Sequence, residues 1–142
     1  MMISTRGRYT LRVLLDLAQH NEEQYIPMKE VALRQDVSLK YLERIIPALV
    51  KDKYIEGIHG KGGGYRLTAS PKNIRVGDIL RLTEGDLAPV SCMECLDGGC
   101  ERADSCLTKP MWTELHRLVN NYFDSITLAD LLNGSVPPSI VR

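Results

Sequence analysis

The chain has 142 residues, 44% hydrophobic and 25% charged, with a formal net charge of zero. That is globular composition, sized for one domain or one domain with an appended element. No apolar stretch approaches the ~20 residues that span a bilayer, and the basic start "MMISTRGRYT" runs into Arg12 and Asp16 rather than a leader-type apolar run. The expectation is a cytoplasmic protein with no membrane segment.

Zero net charge hides an asymmetry. Residues 1–84 carry 14 Lys and Arg against 10 Asp and Glu, and residues 85–142 carry 4 against 8. The first part therefore suits a polyanionic partner. Aromatic residues make up only 6%, so the core must rest on Leu, Ile and Val.

Thr5 to about His20 reads as an amphipathic helix. Tyr9, Val13, Leu14, Leu17 and Ala18 share a face, Arg8, Arg12, Asp16 and Gln19 lie elsewhere, and Ser4 or Thr5 caps it. After a polar turn, Pro27 introduces a second short helix, "MKEVALRQ". "DVS" turns, and Ser38 is the expected N-cap of a third helix, "SLKYLERIIPALVKDK". In that helix Leu39, Leu42, Ile45, Ile46 and Leu49 face a core, while Lys40, Tyr41, Glu43 and Arg44 point outward. Pro47 interrupts it, at a site where proline costs about 3 kcal/mol.

"YIEGIHGKGGGYRLT" predicts a β-hairpin with a glycine-rich tip. "VGDILRLTEG" adds a short helix. From Pro110, "PMWTELHRLVNNYFDSITLADLL" predicts a long helix and a last turn capped by Ser125 or Thr127. Met111, Leu115, Leu118, Val119, Tyr122 and Ile126 form its apolar stripe, which is expected to pack against a second copy of the chain.

Two helices joined by a short turn and followed by a hairpin make a winged helix-turn-helix. The helix from Ser38 would enter the DNA major groove, where Lys40, Tyr41 and Arg44 suit base edges and phosphates. The glycines of the hairpin tip let its backbone approach phosphates, and His59 and Lys61 flank Gly60. The fold class is mainly α. The expected units are a winged helix-turn-helix over 1–84, a cysteine-rich loop over 85–107, a dimerisation helix and last turn over 108–133, and a tail over 134–142. Neither a phosphate-binding loop nor a catalytic constellation stands out, so an enzyme is not expected.

All four cysteines fall in "CMECLDGGCERADSC", as Cys92, Cys95, Cys100 and Cys106. One CxxC pair is present where a zinc ribbon would show two. Loop cysteines beside "LDGGC" suit an iron–sulfur cluster, whose sulfurs accept backbone N–H bonds. A metal or cluster ranks first, and a metal-free disulfide switch stays open.

The stretches "STRGRYTLRVLLDLA", "VSLKYLERI", "GIHGKGGGYRL", "VGDIL", "GGC…DSCLT" and "W…L…ITLADLL" together make the chain resemble the IscR-type winged-helix iron–sulfur transcription regulators, a family that includes NsrR and CymR. The resemblance covers almost the whole chain. It implies a homodimeric regulator that carries a 2Fe–2S cluster, receives it from cluster-assembly proteins and binds promoter DNA, with the long helix forming the dimer. It implies Cys92, Cys100 and Cys106 as cluster ligands. A histidine can complete the set three residues after the last cysteine, where this chain has Lys109. Glu43, on the helix that would read DNA, is then a candidate fourth ligand, and Cys95 is the alternative. The DNA-contacting set expected is Thr5, Arg6, Arg8, Ser38, Lys40, Tyr41, Arg44, His59, Gly60 and Lys61. The output expected is repression of cluster-assembly genes. A cluster-free thiol or cysteine-metabolism regulator is the alternative, and an electron-transfer or cluster-carrier protein is the rival of another class.

Overall fold

A computed structural model describes residues 3–20, 23–93 and 101–138. Six α-helices and one hairpin follow in the order α1 (Thr5–His20), α2 (Met28–Gln35), α3 (Leu39–Lys51), β1 (Ile55–Ile58), β2 (Gly64–Leu67), α4 (Val76–Glu84), α5 (Lys109–Asp124) and α6 (Leu128–Asn133). The fold is mainly helical with a two-stranded antiparallel wing, the arrangement the element order predicts.

The local chemistry sets most boundaries. Ser38 caps α3 by accepting from the Tyr41 N–H at 3.1 Å. Asp36 ends α2 in the left-handed conformation, so the chain reverses within three residues. Thr127 caps α6 through a reciprocal capping box with Asp130. Pro47 lies inside α3 and denies the Glu43 carbonyl its helical N–H donor.

The main core gathers Val13, Leu14 and Leu17 of α1, Val31 of α2, Leu42, Ile45, Ile46 and Leu49 of α3, Ile55 of β1 and Ile79 of α4. Leu39 is expected in this core but stands half out of it, because at the first position of α3 it lines open clefts beside α2. Asp16 shows the opposite departure. The periodicity places it outward, yet it is fully buried. Its two oxygens accept from Arg34 at 2.7 to 3.2 Å and from Gln35 at 2.8 Å, and His20 lies 3.6 Å away. The pairing satisfies the carboxylate and ties α1 to the end of α2.

β1 and β2 pair from Ile55↔Leu67 to Ile58↔Gly64. Sequence reasoning missed a third participant, Ile26. It exchanges both backbone bonds with Tyr65, at 2.8 and 2.9 Å, and fastens the wing to the start of α2. Gly64 makes this approach possible, since a Cβ there would stand 2.3 Å from the Ile26 carbonyl.

The predicted dimerisation helix and last turn pack on the first unit. After α5 the chain returns to the first unit. The Val76 N–H donates to the Ile126 carbonyl and the Leu128 N–H to the Ile74 carbonyl, both at 2.9 Å, and Leu128 is buried in the main core. Ile126 joins Val76, Leu80 and Leu87 in a second cluster, with Val119 and Phe123 packed on it. The apolar stripe of α5 is therefore split. Val119 and Ile126 pack within the chain, and Met111, Leu115, Leu118 and Tyr122 remain exposed.

Candidate nucleic-acid interface and cysteine segment

The predicted reading residues occupy the first two turns of α3 and the hairpin tip. Ser38, Lys40 and Arg44 are exposed. Tyr41 is half-buried, packed edge-on against Tyr9 of α1 with ring centroids 5.6 Å apart. Tyr41 thus helps to fix α3 on α1 and has only part of its surface free for contact. Arg12 covers the other ring of this pair, 4.9 Å from the Tyr9 centroid, and donates from Nε to Gln35 at 3.0 Å. The second half of the helix-turn-helix therefore rests on the first half of α1.

His59, Gly60 and Lys61 are exposed at the wing tip. Gly60 and Gly62 adopt φ of 95° and 79°, and the Gly63 N–H closes the turn on the Gly60 carbonyl at 3.0 Å. Such φ values suit glycine, and the tip carries side chains only at His59 and Lys61 beside Gly60, Gly62 and Gly63. Behind the tip, Arg66 pairs with Glu56 at 2.7 Å and lies 4.5 Å from the centroid of the Tyr25 ring, which stiffens the wing base.

Thr5, Arg6 and Arg8 are exposed at the start of α1, and Arg8 Nη2 donates to Thr5 Oγ1 at 3.1 Å. Because Tyr9 touches Tyr41, this basic turn adjoins the start of α3. The structure thus brings the α1 and α3 groups to one neighbourhood.

Cys92 is exposed, in a short turn of 3-10 helix at Ser91–Met93, and Cys106 is half-buried ahead of α5. Cys95 and Cys100 lie outside the described residues. Cys106 Sγ is 3.3 Å from Thr108 Oγ1. The Thr108 hydroxyl, then the backbone N–H groups of Thr108 and Lys109, hold its thiol below the ordinary value. That favours the thiolate, the form that binds iron. Glu43 is exposed on α3, in a cleft with Met28, Leu39, Ile46, Pro47 and Tyr65. Among the described residues no three His, Cys, Asp or Glu side chains gather as a metal site, so Glu43, Cys92 and Cys106 are not brought together.

A family model described as "Rrf2: Iron-dependent Transcriptional regulator" matches residues 3–134. The chain belongs to the Rrf2 family. Protein rrf2 of Nitratidesulfovibrio vulgaris is 41% identical over 135 residues, covering 95% of this chain and 89% of that protein. The structure of T. potens IscR has 35% identity and a TM-score of 0.75, covering 95% of this chain and 88% of that one. The structure of CymR, the global cysteine regulator of B. subtilis, has 33% identity and a TM-score of 0.78, covering 94% and 98%. The winged-helix fold expected from the sequence is therefore the fold of the Rrf2 regulators. With relatives that are transcriptional regulators and not enzymes, this Rrf2 chain is a DNA-binding transcriptional regulator. Among the described residues no helix is long and apolar enough to cross a membrane.

Proposed function

We propose that this Rrf2-family regulator binds promoter DNA as a homodimer, senses a 2Fe–2S cluster and represses cluster-assembly genes. The observation that carries the reading is the position of the cysteine segment. Cys92 follows Leu87, which is buried in the second cluster, and Cys106 stands three residues before α5 begins. Any change in what these thiols hold acts on the junction between the DNA-facing unit and the exposed stripe of α5.

Cys92, Cys100 and Cys106 would hold the cluster, with cluster-assembly proteins as its donors. Cys106 fits the role, since its surroundings favour the thiolate. Glu43, exposed in its cleft on α3, is the candidate fourth ligand, with Cys95 as the alternative. When bound, the group supplies a one-electron redox couple and an oxidant-sensitive set of bonds.

The chain's own residues supply the rest. Lys40, Arg44 and Ser38 on α3 face the groove, Thr5, Arg6 and Arg8 face an adjoining phosphate run, and His59, Gly60 and Lys61 reach along the backbone from the wing. Tyr41 contributes its exposed edge. Met111, Leu115, Leu118 and Tyr122 recur at spacings of four, three and four, the seam of a two-stranded helical pair. Pairing through that seam would set the distance between two reading heads.

The test is anaerobic purification followed by a visible spectrum and iron, sulfide and zinc analysis of one sample. Brown protein with about two iron and two sulfide per chain, lost in Cys106→Ser, supports the reading. Colourless protein that holds zinc, or no metal after reconstitution, refutes it. The similarity to CymR favours the second reading, a cluster-free thiol or cysteine-responsive regulator, which that result would support.

A further inference from the structure

Glu84 is the last residue of α4, half-buried, and it meets the start of α1. Its Oε1 accepts from the Ser4 N–H at 3.1 Å and from the Ser4 hydroxyl at 2.6 Å. Ser4 Oγ in turn accepts from the Gly7 N–H at 3.2 Å, and the Ser4 carbonyl accepts from the Arg8 N–H. The first turn of α1 is thus held by a carboxylate 80 residues away in the chain.

Gly7 belongs to the same contact. A glycine inside a helix costs roughly 0.5–1 kcal/mol relative to alanine, and the sequence alone offers no reason for one in "STRGRYT". The structure supplies it. A Cβ on Gly7 would stand 2.4 Å from Glu84 Oε1, with Ile3 Cγ2 and Thr83 Oγ1 at 3.2 Å. Gly7 is also buried, so the face of α1 opposite the exposed Arg6 and Arg8 is pressed onto the end of α4. Ile3 packs on the second cluster and anchors the segment ahead of the cap.

We propose that Glu84 is a positioning residue for DNA binding, and that its clamp on Ser4 across Gly7 holds Arg6 and Arg8 of α1 in place against the phosphate backbone. The proposal rests on the reading that Arg6 and Arg8 are phosphate contacts. Glu84 acts through Ser4, and it is not among the residues expected to contact DNA. A helix start held by one accepting carboxylate frays without it, and two cations on a fraying turn contribute less to a fixed phosphate geometry. Gly85, at φ of 81°, then turns the chain from Glu84 toward Cys92, so the clamp also sits where the cysteine segment leaves the DNA-facing unit.

The experiment measures binding across a salt series, using the anaerobically purified full chain and a duplex that the wild-type protein selects from a random-sequence pool. Each phosphate contact adds about 0.9 to the slope of log K against log salt. Arg6→Ala with Arg8→Ala is expected to lower the slope by up to about 3.6 for a dimer, which tests the underlying reading. Glu84→Ala is expected to lower it by a similar amount and to change nothing further when combined with the arginine pair. Glu84→Gln, whose Oε1 still accepts both bonds, is expected to restore the wild-type slope. Gly7→Ala is expected to imitate Glu84→Ala in the wild type and to be silent beside it. Circular dichroism and sedimentation confirm that each variant is folded and associated as the wild type is, so a shifted slope reports the reading surface and not unfolding. If the arginine pair lowers the slope and Glu84→Ala does not, the clamp has no positioning role and the proposal is overturned. If the arginine pair leaves the slope unchanged, the start of α1 contacts no phosphate, and both the contact reading and the clamp fail.

Discussion

Replacing Asp16 by Asn removes the charge at the centre of the α1–α2 junction while keeping the side chain's size. In the wild type, burial pushes the Asp16 carboxyl up. Hydrogen bonds from Arg34 and Gln35, with the charges of Arg34 and His20, outweigh it and hold the carboxyl below its usual value. Asn can accept at one atom only, and its amide nitrogen would face the Arg34 or Gln35 donors. Breaking a fully buried pair costs about 3–5 kcal/mol. Arg34 is 30% exposed and can rehydrate, which brings the expected loss to about 2–3 kcal/mol. For a chain of this size that lowers Tm by roughly 5–10 °C at fixed protomer concentration. The pH dependence follows from the sign of the shift. A carboxyl held low in the folded state stabilises above the unfolded value of about 3.9, and that contribution is lost as pH falls through the folded value. Urea unfolding at pH 7 should therefore separate the two proteins, and the gap should close in acid. A difference below about 0.5 kcal/mol at pH 7, or one that persists unchanged in acid, would refute the argument.

Gly64→Ala places a Cβ 2.3 Å from the Ile26 carbonyl and should break the Ile26–Tyr65 pairing. A loss of about 2–3 kcal/mol is expected, with loss of hydrogen-exchange protection at Ile26 and Tyr65, and protected amides at both would contradict it. Leu118→Glu sets a charge in the exposed seam of α5 without touching the core. Sedimentation should show monomers in place of dimers, and an unchanged dimer would place the interface elsewhere. Arg44→Ala should weaken binding to the selected duplex or relax one base preference, by about 1–3 kcal/mol if Arg44 reads a guanine. Unaltered affinity and preference would remove it from the reading set.

Much of the local structure follows from neighbouring residues. Ser38 as a cap, Pro27 before α2, the glycines of the wing tip and Thr127 before α6 each act on atoms within a few positions. Their effect is therefore written in sequence order, and the ranges of α1, α2 and α3 agree with the pattern. The helix-turn-helix and its wing, and the clustering of four cysteines ahead of α5, are legible for the same reason. Long-range pairing is different. Nothing near Asp16 announces that Arg34 will neutralise it and Gln35 donate to it, and a period of 3.6 residues assigns a carboxylate outward by default. Nothing near Ile26 announces Tyr65, because a single bridging residue leaves no alternation to detect. Gly7 and Gly64 look like interruptions until the packing shows Glu84 and Ile26 against them. The stripe of α5 reads as one surface, but the return of Ile126 and Leu128 to the core divides it. Only tertiary structure decides such matters, since each depends on which distant backbone comes within a van der Waals radius, and side-chain periodicity carries no record of that.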